Sequence, residues 1–142
     1  MKTNKEVLSS ILKTTQMGQV GIRSVMPYAV RQDLKKELQS QLREYDMIES
    51  EAHAIATARG WELKELDPAS KAMSKMCAKA KLATGNVDSK IAAMMINGNT
   101  RGMIKSLKNQ HHAKNEDSTI SALSKKLIET ENVNAKQMQG YV

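Results

Sequence analysis

The sequence predicts an all-α fold, with four long helices in a bundle and an additional short helix in the connection between the second and third. Two observations carry this. Apolar residues recur at steps of three and four along most of the chain, the pitch of one helix face. Only two prolines and seven glycines occur in 142 residues, too few for the turn density of an all-β fold, and no strand-like alternation or fixed-period repeat is present.

The first helix is expected from Glu6 to about Met26. Leu8, Ile11, Leu12, Thr15, Gly18, Ile22 and Val25 form its inner stripe. Thr3 and Glu6 have capping-box spacing, and Pro27 removes a backbone donor that a longer helix would need. The second runs from about Val30 to Arg59, with Leu34, Leu38, Gln41, Tyr45, Ile48, Ala52 and Ile55 inward and Gly60 as its cap. Asp67-Pro68 pairs an N-cap with a first-turn proline and opens the short helix, Ala69 to Ala83. There Met73, Met76, Cys77 and Ala80 share a face, and Cys77 reads as packing. The third long helix begins near Asn86 to Asp88 and reaches about Asn109. Its inward positions are Val87, Ile91, Met94, Met95, Gly98, Gly102 and Leu107. Residues 109–117 are polar and read as a loop. Asp117 or Ser118 caps a last helix to about Gln139, with Ile120, Leu123, Leu127 and Met138 inward. The connection between the second and third long helices can cross the bundle, making them parallel, or cap an up-down-up-down arrangement; the crossover is favoured.

Composition bounds the rest. At 142 residues the chain is one domain, residues 1–142, and large enough for a core without staples. With no Phe, one Trp and three Tyr, that core must be aliphatic, Met and Ala. A lone cysteine rules out an internal disulfide framework. No apolar run approaches the roughly 20 residues of a membrane span, and the N-terminus lacks a leader pattern, so no membrane partner and a cytoplasmic address are expected.

Four glycines sit inside helices: Gly18 and Gly21 in the first long helix, Gly98 and Gly102 in the third. Each costs about 1 kcal/mol of helix propensity relative to alanine. The expected compensation is close approach of these two helices at the glycines, so that Gly98→Leu would destabilise the fold.

Met17-Gly18, the run QSQLREYDMIESEA from Gln39 to Ala52, IAAMMINGNTRGM from Ile91 to Met103, and LSKKLIETEN from Leu123 to Asn132 resemble ferritin-like four-helix bundles. More narrowly, they are similar to a small bacterial ferritin-like family of unknown function. The resemblance implies the fold and no particular activity. Ferritin-like di-iron sites take a Glu from each of two helices and a Glu-x-x-His from each of two others. No Glu-x-x-His exists here, and Ile91 to Asn109 contains no acid. The remaining metal alternative is a single iron or manganese ion on Glu49, His53 and Glu131, with no other cofactor expected. Against it stands a plain surface pairing of Glu49 with His53 at i,i+4.

The net charge is +7. Lys71, Lys75 and Lys79 make an i,i+4 stripe without an acid, and Arg101, Lys105, Lys108 and Lys114 make a second basic stretch. Like charges at this spacing repel, and an anion such as nucleic acid would relieve them. The near absence of stacking aromatics argues against single strands. No nucleophile arrangement or phosphate loop is present. The favoured reading is therefore a non-enzymatic interaction or structural module, expected to self-associate, with a dimer as the first candidate. The alternatives are a divergent metal-binding bundle and a polyanion binder.

Overall fold

The computed structural model describes residues 2–113 and 117–142. It is all-helical, with five α-helices in chain order and two short 3-10 turns. Thr3 accepts a hydrogen bond from the Glu6 amide at 3.2 Å and opens α1, Asn4–Val25. Pro27 falls in the 3-10 turn Met26–Tyr28, which closes α1 as a proline should. α2 spans Gln32–Ala58. It ends in a Schellman motif: Gly60 has φ +66°, its amide donates to Thr57 O at 3.2 Å, and the Trp61 amide donates to Ala56 O at 2.9 Å. Glycine supplies the left-handed conformation there at no steric cost.

Residues 61–67 then connect α2 to the next helix without regular structure, tied to α1 where the Leu66 amide donates to Gln16 Oε1 at 2.8 Å. α3, Pro68–Leu82, starts on Asp67, whose carboxylate accepts from the Ser70 amide. α4, Val87–His111, follows a turn with positive φ at Gly85 and Asn86. Asp88 in its first turn accepts from the Val30 and Arg31 amides and ties the α1–α2 connection to α4. α5, Ser118–Met138, is capped by Asp117, which accepts from the Thr119 and Ile120 amides. Residues 109–111, expected as loop, continue α4. An isolated parallel bridge joins Lys2 to Ala113. No helix among the described residues is long and apolar enough to cross a membrane.

Side-chain pairs set the helix directions. Gln16 meets Glu49 and Gln19 meets Asp46, so α1 and α2 are antiparallel. Ser10 meets Asn109 and Gly21 faces Met95, so α1 and α4 are antiparallel. Gln41 meets Gln137 and Glu51 meets Lys126, so α2 and α5 are antiparallel too. α2 and α4 therefore run the same way, and residues 59–86 cross from one end of the helix pair to the other. Arg59 holds Asp117 at 2.6 Å and joins the end of α2 to the start of α5.

The core is aliphatic. Leu8, Ile11, Leu12, Ile22, Leu34, Leu38, Ile48, Ile91, Ile120, Leu127 and Met138 are fully buried. Thr15 joins them because its hydroxyl donates to Ile11 O one turn back at 2.7 Å.

Two inner faces differ from expectation. α3 buries Ala78 and Leu82, while Met73, Met76, Cys77 and Ala80 face solvent. Ala78 lets α3 lie close on its neighbours and Leu82 fills the space one turn on. α4 buries Ile91 and Ala92 near its start, then Asn99, Gly102, Ser106 and Asn109; Gly98 and Leu107 are exposed. The polar half of α4 turns inward because polar partners wait there, as described next.

Candidate functional site

At the centre of the bundle, Tyr45 of α2, Asn99 of α4 and Glu131 of α5 converge. Tyr45 Oη lies 3.0 Å from Asn99 Oδ1 and 3.2 Å from Glu131 Oε2. All three side chains are buried. A phenol has one proton, and both of its neighbours are oxygens. The arrangement is closed when Glu131 keeps its own proton. Glu131 then donates to Tyr45 Oη and Tyr45 donates to Asn99 Oδ1; once the carboxyl ionises, Tyr45 Oη donates to Glu131 Oε2 instead.

Electrostatics agree. Burial pushes the Glu131 carboxyl up to about 8, against a smaller downward pull from the Tyr45 hydrogen bond. Burial, and then the neighbouring Glu131, hold the Tyr45 phenol well above its ordinary range. Burial also raises the Glu44 carboxyl nearby, and Asn134 in its hydrogen-bonding orientation donates to Glu44 Oε2 at 3.2 Å. Glu131 Oε1 and Asn99 Nδ2 have no hydrogen-bond partner. This is a neutral, proton-holding cluster with one spare acceptor and one spare donor. It has no open cleft and no nucleophile.

The glycines make room for it. A Cβ on Gly18 would come within 2.5 Å of Tyr45 Cζ, and one on Gly102 would overlap the Glu131 carboxyl. The expectation of a single α1–α4 seam at four glycines is corrected. Gly18 admits a side chain of α2, and Gly102 admits one of α5. Gly21 makes only an ordinary 3.7 Å contact with Met95, and Gly98 has nothing within 4 Å. The missed signal was the bulky polar residue opposite each gap, which one-helix periodicity does not reveal.

The metal set is likewise corrected. Glu131 is inside the bundle. Glu49 lies at the α1–α2 edge, where Gln16 Nε2 and Gln19 Nε2 donate to it at 3.2 and 3.3 Å. His53 is exposed and lies 3.6 Å from Glu65, not paired with Glu49. Among the described residues no group of three His, Cys, Asp or Glu side chains is placed to hold a metal. Two glutamine amides hold the Glu49 carboxylate at that edge, away from His53 and Glu131.

The surface offers a second feature. Met73 and Met76 are 67% and 73% exposed, and Cys77 and Ala80 continue their stripe along α3. Lys71, Lys75 and Lys79 form a stripe of their own to one side of it, all exposed and without an ion pair among the described residues. Arg101, Lys105 and Lys108 are exposed along α4, separate from the α3 stripe; Lys114 lies outside the described residues. Between α2 and α5 an open groove of about 600 Å³ is lined by Ala54, Ile55, Ala122 and Leu123 and edged by the 2.7 Å Glu51–Lys126 pair.

The class defined by fold and site is thus an all-helical protein with a sealed polar centre and one amphipathic helix turned outward. No protein-family model, no curated protein and no solved structure gives a match to the chain.

Proposed function

We propose that this protein is a non-catalytic interaction module on a ferritin-like bundle, and that it binds an acidic protein partner through the outer face of α3. The parallel run of α2 and α4, with a short helix between them, supports the ferritin-like arrangement. The observation that carries the interaction is the inside-out character of α3. It buries only Ala78 and Leu82, and its methionines point to water beside a stripe of lysines that have no ion pair among the described residues. Methionine is flexible and polarisable and suits an adaptable docking face. A helix with this pattern fits an apolar groove rimmed by carboxylates. A nucleic acid fits less well, since it offers no apolar groove and α3 has no aromatic to stack. A second copy fits less well too, because it would bring these lysines against a chain of net charge +7.

A photo-crosslinker at position 76, applied in cells and mapped by mass spectrometry, tests this. Crosslinks are expected on an apolar, acid-rimmed site of another protein, and should be lost in K71E/K75E/K79E. Crosslinks to a second copy, to nucleic acid, or to nothing would overturn the reading. Light scattering on the purified chain separates self-association from the rest.

A further inference from the structure

Three lysines converge on the other half of the α1–α4 seam. The Leu66 amide on Gln16 and the Lys90 ammonium on Lys81 O place α3 alongside the C-terminal half of α1 and the start of α4. The N-terminal half of α1 and the end of α4 are left uncovered by it. The register there is fixed by the buried 2.6 Å bond from Asn109 Nδ2 to Ser10 Oγ. Lys13 is one turn beyond Ser10, and Lys105 is one turn before Asn109. In an antiparallel pair these positions face each other across the seam. Lys2 is held at the end of the same seam, where its amide donates to His112 O at 2.8 Å within the bridge to Ala113. None of the three ammonium groups has an ion pair among the described residues. Burial, and then repulsion from Lys2 and Lys13, lower the Lys105 ammonium below its ordinary range.

From this placement we infer that Lys2, Lys13 and Lys105 form a binding site for a small, multiply charged phosphate anion of the pyrophosphate class. Three point charges from three separate segments suit an anion with several oxygens, because each ammonium can meet its own. The anion offsets the repulsion among the three lysines. Helix α3 is not part of this site, so the inference is independent of the docking face.

Calorimetric titration of the full chain with sodium pyrophosphate at low ionic strength tests it. One site per chain is expected, weakening with added salt. K13Q/K105Q should lose at least about tenfold in affinity, as expected for two lost charge-assisted contacts. K71Q/K75Q/K79Q should bind as the parent does. NMR of the lysine side chains gives a second readout: the Lys105 titration should move up in K2Q/K13Q and on adding pyrophosphate. Undiminished binding by K13Q/K105Q, an equal loss in the α3 variant, or no binding by the parent would overturn the site. So would a short single-stranded oligonucleotide that binds at the same lysines while pyrophosphate does not.

Discussion

Glu131→Gln is the sharpest perturbation the structure offers. The carboxyl is 2% exposed, lies against Gly102, and has no cation beside it among the described residues. The groups facing it are Tyr45 of α2 and Asn99 of α4, with Glu44 and Asn134 nearby. Its ordinary value is 4.5, and in the fold it titrates at about 8. Below 4.5 both folded and unfolded chains hold the proton, so this group gives stability no pH slope. Between 4.5 and 8 only the folded chain holds it, so stability falls by about 1.4 kcal/mol per pH unit. The loss reaches about 3 kcal/mol at pH 7 and about 5 kcal/mol above pH 8. The substituted amide would keep the shape and the donor to Tyr45 Oη without an ionisable proton. Urea denaturation of parent and variant from pH 5 to pH 9 reads the difference. The variant should gain on the parent with rising pH, by about 1.4 kcal/mol of unfolding free energy per pH unit up to pH 8. Parallel stability profiles across this range would refute the buried, proton-holding carboxyl.

Tyr45→Phe leaves Asn99 Oδ1 and Glu131 without their shared partner, and should cost about 1–3 kcal/mol in denaturant melts. The same variant should move Glu131 further up in a carboxyl-carbon NMR titration, because Tyr45 donates to the ionised carboxylate and so holds it down. Gly98→Ala meets open space and should stabilise by up to about 1 kcal/mol, whereas Gly18→Ala meets the Tyr45 ring and should destabilise by about 2 kcal/mol. Thermal melts of the two variants should therefore move in opposite directions. Leu82→Ala should cost about 2–4 kcal/mol, while Met73→Ser on the opposite face of α3 should change stability by less than about 0.5 kcal/mol.

Much of the fold was legible because its signals are local. Thr3, Asp67-Pro68, Gly60 and Asp117 act on backbone groups within a few residues, and each marks an observed helix end. The stripes of α1 and α2 combine large apolar residues with a polar opposite face, so their buried sides agree with the spacing. α3 and α4 carry less contrast. In α3 methionine and alanine compete for the inward side, and the face that turns in carries Ala78 and Leu82. In α4 the apolar rule favoured Gly98 and Leu107. The chain buries Asn99 instead, along with Gly102, since Tyr45 and Glu131 arrive opposite them from other helices.

The candidate sites follow the same division. Glu131 was visible as an acid at the edge of a stripe, but its proton depends on what surrounds it. Lys2 and Lys13 carried no signal, because 92 residues of sequence separate Lys13 from Lys105. Taken alone, the order of residues determined that this chain makes helices and where each begins and stops, because caps and pitch are short-range. Only packing decided which faces turn inward, that a carboxylic acid stays neutral at the centre, and which cations meet. Those outcomes are set by shape and charge arriving from other helices, and no single stretch of chain contains them.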